Sequence, residues 1–174
     1  MRRPVQIRVN GPQLASARKA FAAIRDMGAD PTELLDLWGI TLEASMRRRF
    51  DTGQGPGGIP WPVSRRAQHD GGKTLHDKGN LENSLRYEVR PHELEVGVDG
   101  VGRSAKFAYV HQFGATIVPR NAGALRFPIP GGGYVVTQKV TIPRRPIVGV
   151  DAEDKRDMKE VALEHLRSLT SGRP

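Results

Sequence analysis

Five histidines, His69, His76, His92, His111 and His165, raise the question of catalysis or metal binding in this 174-residue chain. His69-Asp70 and His76-Asp77 stand seven residues apart, each imidazole beside a carboxylate, a pairing that could hold zinc in a rigid frame. They fall in a glycine- and proline-rich stretch that offers neither fixed ligands nor oriented outer partners, so no metal site is expected. His111 sits in Phe107-Ala108-Tyr109-Val110-His111-Gln112-Phe113-Gly114, among three aromatics, where a hydrogen-bonded structural imidazole is expected rather than a general base. Cysteine is absent, which excludes disulfides, iron–sulfur clusters and thiolate zinc sites. The run Gly53-Gln54-Gly55-Pro56-Gly57-Gly58 lacks the lysine and following helix of a phosphate loop, and no serine sits in a nucleophile elbow. The chain is therefore expected not to be an enzyme: no catalytic residue, no cofactor and no metal.

Positive charge is the chemistry that remains. The formal charge is +8, and residues 100–150 hold seven basic side chains and no acid. These are Arg103, Lys106, Arg120, Arg126, Lys139, Arg144 and Arg145. Residues 1–99 hold 15 basic and 13 acidic side chains, and residues 151–174 hold 5 and 6, so nearly all the excess lies in one segment. Such a segment suits DNA phosphates, an acidic protein surface or, as the plainest alternative, solvent. Phe127 and Tyr134 interleave with the cations, as on surfaces that stack bases and grip phosphates, but no nucleic-acid-binding module motif is present. Contact with DNA is thus expected only without sequence specificity.

The elements that must position these residues follow from periodicity. Val5, Ile7 and Val9 alternate as a short strand. A helix is predicted from Gln13, with Leu14, Ala17, Phe21, Ile24 and Met27 on one side and Gly28 as its stop. A second is predicted from Asp30-Pro31 to about Phe50, with Leu34, Trp38, Leu42 and Ser45 inward and Arg47-Arg48-Arg49 at its negative end. From 51 to 80 glycine and proline argue against helix and strand, and a long loop is expected. Trp61 in its middle is expected to anchor that loop on its own domain or, apolar partners being scarce nearby, on a neighbouring surface. Ser84 to Val98 reads as a hairpin turning at Pro91-His92-Glu93.

Phe107 to Phe113 is predicted as a strand around which the chain is organised, with Phe107, Tyr109, His111 and Phe113 on one face. Residues 124–142 read as a projecting hairpin arm tipped by Gly131-Gly132-Gly133, returning as one strand from Tyr134 to Ile142. A last helix is predicted from Asp151, with Met158, Val161, Ala162, His165 and Leu169 inward. The class is α+β: N-terminal helices, a largely antiparallel sheet of about five strands, a projecting arm, a long loop and a C-terminal helix, in one domain spanning 1–174. No apolar run reaches the ~20 residues of a membrane span. The basic start lacks the apolar core of a signal peptide, so no membrane partner and no export by the usual route are expected.

Several motifs then line up in order: Gly58-Ile59-Pro60-Trp61-Pro62, Leu75 through Gly79-Asn80-Leu81 to Ser84-Leu85, Tyr109-Val110-His111-Gln112-Phe113-Gly114, and Ile142-Pro143-Arg144-Arg145-Pro146-Ile147-Val148-Gly149 before an acid-started helix. Over roughly residues 30 to 170 the sequence resembles the phage virion morphogenesis, or tail-completion, proteins of long-tailed, Mu-like bacteriophages. Arg145 stands where a small residue is usual and adds charge. The resemblance implies a structural part of the virion neck, made in the host cytoplasm, that completes the tail and helps join it to the DNA-filled head. It implies self-assembly into a ring, hexameric by expectation, with neighbouring neck and tail proteins as partners and channel DNA as a further candidate. Trp61, Tyr109, His111, Phe113, Arg144 and Arg145 are the expected interface residues. Arg103, Lys106, Arg120, Arg126 and Lys139 form the expected basic face.

Overall fold

The computed structural model describes residues 5–9, 15–26, 30–91, 93–99, 102–129 and 131–171. Its centre is helix α2 (Thr32–Thr52). The Asp30 carboxylate accepts the Thr32 N–H at 3.0 Å ahead of the first turn. Gly53 ends the helix in the left-handed region, φ 68°, donating its N–H to the Arg49 carbonyl. Leu34, Leu35, Trp38, Leu42, Met46 and Phe50 are fully or almost fully buried along it, the three- and four-residue spacing of a core-facing stripe.

Helix α2 packs against a three-stranded antiparallel sheet and against the C-terminal helix. The sheet comprises β1 (Val5–Val9), β2 (Leu85–Arg90) and β3 (Glu93–Val98) in the order β1-β3-β2. Residues 85–98 form the expected hairpin, in the register Leu85↔Val98 to Arg90↔Glu93; His92 of its predicted turn lies outside the described residues. Strand β3 is the central one, and Leu94, Val96 and Val98 are fully buried. On α2, Gly39 gives the room: a Cβ there would lie 2.3 Å from Cδ2 of Tyr87, whose hydroxyl donates to Asp36 at 3.0 Å. Helix α1 (Ala15–Asp26) packs on the last helix. Of its predicted inward residues Ile24 is fully buried; Leu14 and Met27 lie outside the described residues.

The C-terminal helix, here α5 (Ala152–Ser171), begins where expected. Asp151 Oδ1 accepts the N–H groups of Glu153 and Asp154, while Asp154 Oδ2 accepts that of Asp151, a reciprocal cap at the positive helix end. Met158, Ala162 and His165 are buried.

Three features differ from expectation. Residues 102–113 are not a strand but helix α4 (Gly102–Phe113), which contacts β1 and β3. Its buried residues are Ala108 and Gln112, one turn apart, so the aromatic alternation does not set the inward face. The strands do not form one sheet: β4 (Ala115–Ile117) pairs with β7 (Val140–Ile142), and β5 (Leu125–Pro128) with β6 (Tyr134–Thr137), as two separate antiparallel ribbons. The predicted strand from Tyr134 to Ile142 is thus broken between Thr137 and Val140. Finally, segment 51–80 is structured. It holds a 3-10 turn (Pro56–Gly58), a bridge between Gln54 and Pro60, and the short helix α3 (Arg65–Asp70). Ser64 caps α3 by accepting the Ala67 N–H at 3.1 Å, and a second 3-10 turn spans Glu82–Ser84.

Candidate functional site

Three segments far apart in sequence meet at one junction: the Trp61 loop, the end of α4 and the corner 143–149. The indole N–H of Trp61 donates to the Pro146 carbonyl at 2.9 Å, and its ring meets Phe50 edge-on at 5.6 Å. Gly55 lies beneath it, where a Cβ would sit 2.9 Å from the Pro146 oxygen. The amide of Gln112 reads the corner with both ends. Its Oε1 accepts the N–H groups of Ile147 at 2.8 Å and Val148 at 3.0 Å, and its Nε2 donates to the Val148 carbonyl at 2.7 Å. Gly114 follows with φ 73°, where a Cβ would approach the Ile142 oxygen to 3.2 Å. Only glycine combines that backbone region with so close a crossing.

Arg49 locks the junction to the core. It donates to the Ile147 carbonyl and to Asp154 Oδ2, both at 2.8 Å, while Ser45 donates to Asp154 Oδ1 at 2.5 Å. This buried pair is satisfied on both sides, the condition under which a desolvated ion pair is tolerated. The arginine run ending α2 is therefore structural in two of its members: Arg47 pairs with Glu43 at 2.8 Å, and Arg48 is exposed. Asp151 is partly buried, which works to raise its pKa, but N–H donors from Gly57 and Asp154 and the Arg49 cation hold it below the ordinary carboxylate value.

Of the expected interface residues, Trp61 is 4% exposed, so its burial is supplied by the chain itself and needs no neighbouring surface. Arg145 is likewise 4% exposed and does not belong to an outer basic face. Its backbone N–H donates to the His111 carbonyl, its Nε to the Pro62 carbonyl (both 2.6 Å), and its Nη1 to His111 Nδ1 at 3.3 Å. Because a guanidinium can only donate, His111 Nδ1 is the acceptor and the neutral ring carries its hydrogen on Nε2. Burial, and secondarily the Arg145 cation, push the His111 pKa down to about 4. Burial also lowers that of Arg145.

Tyr109 and Phe113 meet at a tilt one helical turn apart, centroids 5.0 Å and planes 56° apart, and both face outward, Phe113 60% exposed. His111 lies two residues from each of them along the helix, off their shared line, and turns toward Arg145. Arg144 is exposed, as are Arg103, Lys106, Arg120, Arg126 and Lys139. The Arg126 guanidinium lies over the exposed Tyr134 ring, 4.2 Å from its centroid. His69 and His76 each bond a carboxylate, Asp70 and Glu82 respectively.

The ribbon register sorts the arm. Arg126, Pro128, Tyr134 and Val136 are exposed, while Leu125, Phe127, Val135 and Thr137 are half-buried. Phe127, Val135 and Thr137 line a cleft whose opposite wall is Val63, Ser64, Arg65 and Gln68. The arm's tip touches α3: a Cβ on Gly131 would lie 2.8 Å from His69 Nε2. Gln112 and this cleft were not anticipated from sequence. The signals were the i, i+4 pair Ala108/Gln112 and the period-two alternation of residues 134–137.

A model of the phage virion morphogenesis family matches residues 13–167. The tail completion protein S of Escherichia phage P2 is similar, 28% identical over 131 residues that cover 72% of this chain and 77% of that protein. No solved structure matches. The family match spans the helical core, the junction and the arm together, and the chain belongs to the phage virion morphogenesis family.

Proposed function

We propose that the chain is a non-enzymatic component of the phage neck, which completes the tail and joins it to the DNA-filled head as a ring of identical copies. Membership of the family makes it a structural tail protein of the virion. One observation carries the finer reading. The polar groups of the motifs, Trp61, Gln112 and Arg145 among them, are turned inward to hold the chain's own corner. Residues 102–144 carry no acid, and their outward face sets large apolar groups among cations: Phe113, Val118, Tyr134 and Val136 are each more than half exposed, beside six exposed cations. Large apolar side chains exposed among cations are the kind of surface that assemblies cover.

Electron micrographs of particles made without the protein test the reading. Unjoined heads and tails are expected; normal numbers of complete, DNA-filled, infectious particles would overturn it. The ring is tested by the mass of the assembled protein released from particles, which is a multiple of 19.1 kDa if copies associate. The stacking of Arg126 on Tyr134 favours one second reading, DNA binding without sequence specificity. Its signature is duplex affinity of the isolated chain that falls steeply with salt.

A further inference from the structure

The cleft between the arm and α3 has a volume of ≈ 710 Å³ and contains no acidic side chain among its lining residues. Three cations line it, Arg65 and Lys139 at exposed positions and the buried Arg145, and none of the three pairs with a carboxylate among the described residues. Arg145 is the telling member. Its Nε and Nη1 are occupied by Pro62 and His111, but its Nη2 has no hydrogen-bond partner among the described residues. Nη2 is not among the fully buried atoms that lack a partner, so it opens onto the cleft, where a cation without a counter-charge attracts an anion. The walls beside it are apolar, Phe127 and Val135 from the inward face of the ribbon.

We propose that this cleft binds a carboxylate-bearing segment of another protein, an acidic side chain or chain end flanked by apolar residues. A guanidinium with free N–H donors matches a carboxylate in planar, two-point geometry. Lys139 and Arg65 supply further charge complementarity at exposed positions. The volume is that of a pocket for a few side chains, within the ~300–1,000 Å³ typical of ligand sites. Duplex DNA offers neither the apolar flanks nor the narrow profile that such a space accepts. A second copy of this chain would bring its own excess of positive charge, which argues for a different, acidic protein. The proposal goes beyond the assembly role, and binding to the isolated chain succeeds or fails independently of particle counts.

The test uses the full chain and a fluorescein-labelled random copolymer of glutamate and tyrosine. Saturable binding is expected, weakened about tenfold or more by Lys139→Glu, as for charge reversal at a close interfacial pair. Lys106→Glu, an equal charge change on exposed α4 outside the cleft, should weaken it less than twofold. Arg145→Gln should abolish binding if it folds; if it does not, the comparison of Lys139→Glu with Lys106→Glu decides. Equal loss in those two variants would show diffuse attraction and overturn the proposal. Duplex DNA displacing the copolymer at equal charge concentration would assign the cleft to nucleic acid instead. Loss of self-association in Lys139→Glu would assign it to a second copy.

Discussion

Gln112→Leu probes the junction most directly, because one side chain satisfies three buried backbone groups of the corner. The replacement keeps the volume and helix propensity but leaves two N–H donors, on Ile147 and Val148, and the Val148 carbonyl without their side-chain partner. Gln112 is 9% exposed, so water reaches these groups poorly. Each orphaned group costs ~1–3 kcal/mol, and burying an added apolar surface returns ~1 kcal/mol. A net loss of ~2–8 kcal/mol results over the three groups, a large part of the ~5–15 kcal/mol that holds a typical domain. In urea, with a slope of ~2 kcal/mol per molar, the unfolding midpoint should fall by ~1–4 M. Equilibrium urea unfolding followed by tryptophan fluorescence suits the test, since Trp61 reports on the same corner. A loss below ~1 kcal/mol would refute the reasoning, because water would then be replacing the amide at no cost.

Trp61→Ala should destabilise the isolated chain by ~3–5 kcal/mol, as for other buried large-to-small changes, since the indole is packed on Phe50 and bonded to Pro146; an unchanged thermal midpoint would show that its burial is dispensable to the fold. Gly39→Ala should cost ~1–3 kcal/mol through overpacking, despite alanine's better helix propensity, because the new methyl would lie 2.3 Å from Tyr87 Cδ2. In a Tyr87→Ala background the same change should become neutral or stabilising, which a double-mutant cycle reads. His111 should make stability pH-dependent. Its folded pKa is about 4 against 6.5 for the free side chain, so between these values the unfolded chain binds the proton and the native one does not. Stability is full above pH 6.5 and declines by ~1–2 kcal/mol toward pH 4, discounted for the ring's partial exposure. His111→Gln should remove that component of the slope while retaining partial assembly function; an unchanged pH profile would exclude His111 as its source.

The parts of the fold that were legible in the sequence are those whose inward residues are large and apolar. Helix α2 showed its stripe because Leu34, Trp38 and Leu42 both mark the period and fill the core. The hairpin 85–98 and the acid-started α5 were legible for the same reason, joined to explicit turn and cap residues. Helix α4 was not, because its inward residues are the small Ala108 and the polar Gln112, while its aromatics face out. Alternating aromatics then imitated a strand, and the glycines at 102 and 114, both at positive φ, were the truer boundary marks. The segment 51–80 was misjudged in a related way. Glycine and proline do exclude long elements there, yet short turns bonded to Pro146, Asp151 and Arg145 give it order that no local pattern records.

The same inversion explains why the site residues were only half legible. Arginine in a cationic run reads as surface, and for Arg103, Lys106, Arg120, Arg126, Lys139 and Arg144 the structure agrees. Arg145 differs from its neighbour Arg144 by one step along an extended corner, which sends the two side chains opposite ways. One meets solvent; the other enters the interior beside His111 and leaves a donor toward the cleft. Charge counting along the chain cannot separate them, because direction is set by the crossing at Gly114 and by the amide of Gln112 on Ile147 and Val148. A substitution at Gln112 or Gly114 should therefore disturb the cleft as well as the fold, and copolymer binding should fall in any such variant that remains folded. Binding at the native level in a folded Gln112 variant would separate the cleft from the junction and show that Arg145 is held by Pro62 and His111 alone.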